Sequence, residues 1–308
     1  MASRTLDPAT VRQNHPMTTE LGLIVVVAAA FAFWPRVAST VSTPVLDSLA
    51  LPDSLLVHGL VTGSVLLAGL SLFTGAYATL RDIEVRTELP SGGDLRQVGL
   101  ALLIPAALVG LTKSVGALTS VTYGSLTKTF VAADPSLEPY LLVTGLGLFI
   151  GVPSFLLLCH VVVQGSFEKV VDGDVAVVAT TVVAGFLLTS NAGNLSAFPD
   201  RGKLAGAALF VVAVGVALYA TEHVRRQWLR VLAALPAVLL VGAALVSGIA
   251  AVESVAGALF ALTQVAVLGF AAYSYERTDS LLVPALAYAS FYLTGSAVVF
   301  VFEAGVHA

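Results

Sequence analysis

Nine long apolar segments occupy most of this chain, and they restrict its fold more than any other feature of the sequence. A helix needs roughly 20 residues to cross the hydrocarbon core of a bilayer, and the segments approach that length. Helices pair every backbone N–H and C=O within the segment, and the apolar runs lack the alternation of β-barrel strands. The segments lie at about residues 20–40, 54–80, 97–121, 139–165, 174–192, 203–221, 229–250, 253–274 and 280–303.

Composition supports a membrane protein. Of the 308 residues, 57% are hydrophobic and 11% are charged, whereas about 25% of residues in a soluble domain are charged. The net charge of −4 gives no footprint for nucleic acid. The single cysteine, Cys159, excludes an internal disulfide and a cysteine-rich metal site. We therefore predict an all-α polytopic transmembrane helix bundle of 8–9 spans. It would form a single transmembrane domain over residues 20–308, after a cytoplasmic tail over residues 1–19.

The positions of the basic residues predict the orientation. Loops on the cytoplasmic side of a membrane carry an excess of Lys and Arg. With the N-terminus inside, the inner set is Arg4, Arg12, Arg81, Arg86, Arg96, Lys169, Arg225, Arg226, Arg230 and Arg277, and the outer set is Arg36, Lys128, Arg201 and Lys203. Ten basic residues against four predict a multi-pass protein of the cell membrane with a cytoplasmic N-terminus and an external C-terminus.

Three stretches share a frame of turn residues and apolar residues with a known family. They are the run from Gly151 to Gly165, the segment Gly185–Ser190, and the stretch from Tyr275 to Tyr292. This frame resembles the CPBP family of membrane proteases, which is related to CAAX-processing enzymes and to bacteriocin self-immunity proteins. The resemblance implies a CPBP-like core at about residues 97–192 and 253–303.

The chemistry of the family motifs is absent from this frame. The family reads G-P-x-E-E-L-x-F-R-G, then F-x-x-x-H, then P-x-x-A-H-x-x-x-N. Here the two glutamates fall on Phe155 and Leu156, and the arginine falls on His160. The histidine after Phe186 becomes Ser190, and the last histidine and asparagine become Tyr288 and Tyr292. The resemblance thus implies a degenerate member of the family.

Spacing explains why these positions matter. Positions 156 and 160, 186 and 190, and 288 and 292 are i,i+4 pairs, so each pair projects from one face of a helix. The peptide hydrolysis that the resemblance implies needs a group that takes a proton from water, and His160 is the only such group left at the motif positions. One imidazole is a weak catalytic constellation and a weaker zinc site. We predict no metal and no cofactor.

Other polar residues in the spans have alternative roles. Lys113, inside the third span, marks a polar intramembrane site together with His160, or it reaches outward to the interface.

Glu253 and Glu303 are expected to be solvated caps at span ends. Tyr273 and Tyr275 are expected to be interfacial anchors. Gly147 and Gly151 form a G-x-x-x-G pattern that favours close packing inside the bundle.

The leading hypothesis is therefore a catalytically inactive, CPBP-like integral membrane protein that acts through binding or scaffolding. One alternative is an active intramembrane endopeptidase that uses His160 in a non-standard site. A second alternative is a small transporter or permease, with Lys113 near Pro105 and Gly110 as its best feature. The expected partners are the lipid bilayer and a membrane protein or peptide.

Overall fold

The computed structural model of the chain describes residues 15–49, 54–132, 136–189 and 194–305. Nearly all of them are helical, and the strand-like pairing in these ranges consists of two isolated bridges, Thr87 with Ser280 and Thr189 with Leu195. The predicted all-α class is therefore confirmed.

The α-helices are α1 (Pro16–Leu49), α2 (Leu55–Arg81), α3 (Leu95–Leu118), α4 (Tyr123–Thr127), α5 (Leu137–Phe155), α6 (Gly165–Glu168), α7 (Gly173–Leu188), α8 (Arg201–His223), α9 (Gln227–Ala250), α10 (Val255–Thr278) and α11 (Leu282–Phe302). A π-helix at Leu156–Gln164 joins α5 to α6, and a short 3₁₀ turn at Gly92–Asp94 precedes α3.

Several helices begin at a polar side chain that satisfies a free backbone donor. Ser54 accepts a hydrogen bond from the N–H of Val57 at the start of α2. Asp200 does the same for Lys203 in α8, and Ser254 for Gly257 in α10. The first N–H groups of a helix have no partner inside it, so such caps fix where a helix starts.

Eight helical segments in the described ranges are long and apolar enough to cross a membrane, and the predicted polytopic bundle is thus confirmed. The remaining apolar helix, α7, has 16 residues and rises about 24 Å at 1.5 Å per residue, less than the roughly 30 Å hydrocarbon core. The backbone after α7 completes its last turn. The N–H groups of Ser196 and Asp200 donate to the carbonyls of Leu188 and Leu187 at 2.8 and 3.1 Å.

Side-chain contacts show which helix ends lie together. Glu20 near the start of α1 pairs with Arg81 at the end of α2. His15, just before α1, contacts Glu222 at the end of α8 with a 2.8 Å Nε2–Oε1 distance. We call this side of the bundle the α1-start end. Since α8 ends there, its beginning lies at the opposite end.

The helices differ greatly in how much protein surrounds them. The π-helix packs against α1, α2, α7 and α10, and seven of its nine residues are buried. Helices α3, α10 and α11 pack against one another beside it. Helix α9 packs against α8, and none of its residues is buried. The core therefore lies around the π-helix, and the α8–α9 hairpin lies at the periphery.

Candidate functional site

The candidate site is a buried hydrogen-bonded group centred on His160, which has no exposed surface. The Nδ1 atom of His160 lies 3.0 Å from the Oε1 of Gln164, and its Nε2 lies 3.0 Å from the hydroxyl of Tyr288. The Nε2 amide group of Gln164 donates to the carbonyl of Ala272 at 3.1 Å, which assigns its oxygen to the histidine. Because an amide oxygen only accepts, Nδ1 carries the proton of the neutral ring and Nε2 accepts from Tyr288.

The π-helix determines where His160 and Gln164 lie. Pro153 in α5 has no backbone N–H to donate, and the π-helix begins three residues later. In such a segment, hydrogen bonds between residues five apart replace the α-helical bonds between residues four apart. π-helices are rare overall, but those that occur often lie at functional sites. In this segment the side chains of His160 and Gln164 share a face and both are fully buried.

Aromatic rings and one thiol complete the group. The ring of Phe155 stacks on Tyr288 with a centroid distance of 5.1 Å, and the ring of Tyr275 lies 5.4 Å from that of His160. The buried thiol of Cys159 lies beside the Tyr288 hydroxyl, and that hydroxyl donates to His160. Apolar and aromatic atoms thus fill the space next to the imidazole.

The predicted motif positions fall into two groups. Tyr288 contacts both Phe155 and His160, and Leu156 packs half-buried against the same core. Phe186 and Tyr292 instead lie at the surface of the bundle, with 38% and 37% of their surface exposed. Ser190 lies outside the described residues.

Phe186 and Tyr292 each contact a residue of another helix. The ammonium group of Lys203 lies 5.7 Å from the ring centroid of Phe186. The hydroxyl of Tyr292 lies where a Cβ on Gly147 would approach to 2.2 Å, so this glycine lets α11 pack closely on α5. Gly147 therefore serves the packing role expected of the G-x-x-x-G pattern, whereas Gly151 has open space at its Cβ position.

A second polar group continues from Gln164 toward one end of the bundle. Glu168 follows Gln164 by four residues and lies in α6, directly after the π-helix. Arg86 donates to Glu168 and to Glu276, both at 3.0 Å, and lies 3.2 Å from Asp279. Burial favours the neutral form of Arg86, but its hydrogen bond to Glu276 and the neighbouring carboxylates outweigh this effect and raise its pKa.

This second group borders an open polar groove of about 560 Å³ between residues 84–88 and the end of α10. Tyr275 connects the two groups, since its hydroxyl accepts the backbone N–H of Arg86 at 3.1 Å while its ring faces His160. The expectation that Tyr275 is an interfacial anchor is wrong, because only 2% of it is exposed. Tyr273 is 44% exposed, as expected of an anchor.

Lys113 lies in a different place from His160. Its ammonium donates to Glu303, which also accepts the N–H groups of Tyr123 and Gly124 at 2.7 and 2.5 Å. The expectation that Glu303 is a solvated cap is wrong, since it is 5% exposed. A carboxylate with two backbone donors and a lysine can remain charged when buried, because its hydrogen bonds replace those of water.

Sequence reasoning missed Gln164, Glu168, Arg86 and Glu20. The spacing of His160, Gln164 and Glu168 at four-residue intervals was the available signal for a polar stripe on one face. Glu20 and Arg81 come near the start of one span and the end of the next, which antiparallel packing brings together. No group of three or more His, Cys, Asp or Glu side chains in the described ranges is placed to hold a metal ion.

Comparison of the chain with family models, with curated proteins and with solved structures finds no match. What these geometries establish is an integral membrane helix bundle with a buried imidazole–phenol–amide group.

Proposed function

We propose that this chain is a catalytically inactive relative of the CPBP membrane proteases that acts by binding a membrane peptide or protein. The resemblance rests on the motif frame, and the packing supports it. Phe155 and Tyr288 belong to motifs more than 130 residues apart in the chain, yet their rings stack beside His160. On this proposal, the chain keeps the helix arrangement of the family but lacks the glutamates of its motif.

The observation that carries the proposal is that both ring nitrogens of His160 are engaged. Nδ1–H donates to Gln164, and the lone pair on Nε2 accepts from Tyr288. A general base needs a free lone pair within hydrogen-bond reach of the water it activates. Phe155 and Leu156, where the family has glutamates, cannot accept a proton. Without proteolysis, recognition of a hydrophobic peptide is the part of the family's activity that this frame can keep.

Turnover tests the inactive half of this proposal. The purified full-length protein, reconstituted in lipid vesicles, is incubated with a prenylated peptide and with a single-span transmembrane peptide. Mass spectrometry then follows cleavage, with an active protease of the family as positive control. We expect no product above the blank. Product that disappears in His160→Ala and persists in the control Leu239→Ala would overturn the proposal in favour of an active endopeptidase.

Binding tests the other half. The same two peptides, each carrying a photoreactive group, are crosslinked to the reconstituted protein over a range of concentrations. We expect saturable adducts with at least one peptide, and competition by its unlabelled form. Adducts that rise linearly with peptide and resist competition would count against a binding function.

We further infer the orientation from the basic residues. The α1-start end holds Arg81, beside Glu20, and the turn of the α8–α9 hairpin, beside His15 and Glu222. Under the positive-inside rule this end faces the cytoplasm, which places the N-terminus inside and the C-terminus outside.

Cysteine labelling tests this orientation. Native Cys159 is buried, so cysteines introduced at Glu88 and at Lys128 can be labelled selectively. An impermeant maleimide added to intact cells should label the cysteine at 128 and spare that at 88, and the reverse pattern would refute this orientation.

A further inference from the structure

The turn of the α8–α9 hairpin, His223 to Arg230, carries a concentration of positive charge. Arg225 and Arg226 are exposed, and no carboxylate in the described part of the chain forms an ion pair with either. Glu222, the acid closest in sequence, is bound to His15. The turn therefore presents unneutralised guanidinium groups on a chain whose net charge is −4.

The third arginine is held in place by the backbone. The Nε of Arg230 donates to the carbonyl of Val224 at 2.6 Å, which ties the first turn of α9 back to the connection and leaves the terminal nitrogens of the guanidinium available. Trp228 lies between these arginines and is 60% exposed. Indole rings at such positions lie at the headgroup level of a bilayer.

From this charge and this indole we propose that the hairpin turn binds the phosphate of an anionic phospholipid through Arg225, Arg226 and Arg230. The partner is a lipid because the turn joins two apolar helices at the membrane interface and α9 buries no residue in the protein, so lipid surrounds this hairpin. Guanidinium groups pair with phosphate oxygens in a two-pronged geometry that ammonium groups lack. A bound headgroup would fix the end of a hairpin that little protein holds.

The two tryptophans of the chain allow a direct test. Trp34 is half-buried and donates to the carbonyl of Leu66 at 2.9 Å, so Trp34→Phe leaves Trp228 as the only tryptophan, which can be excited selectively over tyrosine. This protein is reconstituted in vesicles containing equal fractions of phosphatidylcholine and phosphatidylglycerol, with bromine on one lipid or the other. Each basic residue near an anionic surface contributes about 1 kcal/mol, so two exposed arginines predict about thirtyfold enrichment of anionic lipid. We therefore expect Trp228 to be quenched much more strongly by the brominated anionic lipid.

Variants separate a lipid site from a mere topology signal. Arg225→Gln with Arg226→Gln should abolish the preference, while the control Arg277→Gln, an exposed arginine beside Tyr273, should keep it. Arg225→Lys with Arg226→Lys preserves charge and hence orientation, and should weaken the preference because the two-pronged pairing is lost. Equal quenching by both lipids, or a preference that survives the double Gln change, would overturn the proposal.

Two further measurements test whether the lipid preference is local to the turn and whether the turn binds soluble phosphate instead. Trp228→Phe reports Trp34 alone and should show no lipid preference; a preference there would mean that the effect is not local to the turn and would refute the site. Millimolar glycerol phosphate should leave the quenching of Trp228 unchanged, and its loss would indicate a site for soluble phosphate instead. Native mass spectrometry of the unaltered protein should retain an anionic lipid that the double Gln variant loses.

Discussion

The π-helix and α9 are both strongly hydrophobic segments, yet the first is buried in the protein and the second is not. Seven of nine residues of the π-helix are buried, whereas α9 buries none of its 24 residues. The difference lies in the polar residues. The π-helix carries His160 and Gln164, which need partners inside the bundle, and α9 carries no ionisable residue after Arg230. In a bilayer, hydrophobicity places a helix in lipid, and in this pair of segments the polar side chains distinguish the helix that the protein packs around.

The largest contrast is expected between two polar contacts of the α1-start end, Arg81 with Glu20 and His15 with Glu222. Arg81→Met leaves Glu20, 2% exposed, without its partner, and removing one member of a buried pair costs about 3–5 kcal/mol. Glu222→Ala removes the contact between the hairpin and His15, in which Glu222 is 43% and His15 is 26% exposed, and should cost less than about 1 kcal/mol. Unfolding in mixed micelles by increasing SDS measures both. Equal losses would mean that the hairpin is held as firmly as the core.

Leucine truncation should sharpen the same contrast. Leu158 in the π-helix is 1% exposed and Leu239 in α9 is 60% exposed. Leu158→Ala leaves a cavity and should reduce the free energy of unfolding by about 2–4 kcal/mol. Leu239→Ala exchanges one lipid contact for another and should change it by less than about 0.5 kcal/mol. The same SDS titration applies, and a large loss for Leu239→Ala would show that α9 has a protein partner in the preparation.

The next contrast concerns a hydrogen bond at the site. Tyr288→Phe removes the donor to Nε2 of His160 and leaves a buried acceptor unsatisfied, at a cost of about 1–3 kcal/mol. Tyr219→Phe, at the 50% exposed Tyr219 that stacks on His223, should change stability by less than about 0.5 kcal/mol. The ¹⁵N chemical shifts of the His160 ring should report the loss at Nε2 in the first variant. Unchanged shifts would contradict the hydrogen bond.

Sequence sufficed for the number and approximate position of the spans, because length and hydropathy are local properties. It also assigned His160 and Tyr288 to motif positions, and their side chains meet in the structure. It could not predict that Phe186 and Tyr292 are partly exposed at the surface of the bundle. The neighbour that a helix face meets depends on packing, here of Tyr292 against Gly147. The π-helix that buries both His160 and Gln164 was likewise invisible to a pattern based on an α-helical period. Glu303 was misplaced because its two backbone donors come from α4, some 180 residues away in the chain.

The smallest expected effect compares two glycines of the contrasted regions. At Gly248 in α9 a Cβ would meet nothing within 4 Å, so Gly248→Ala should stabilise the protein by about 0.5–1 kcal/mol through helix propensity alone. At Gly147 in α5 a Cβ would come within 2.2 Å of the Tyr292 hydroxyl. There the same gain is opposed by a clash that costs about 1–3 kcal/mol, so Gly147→Ala should be destabilising. SDS titration of the two single variants gives the signs. Opposite signs follow from packing alone, because the substitution is identical, so destabilisation by Gly248→Ala would mean that another molecule lies against α9 at that position.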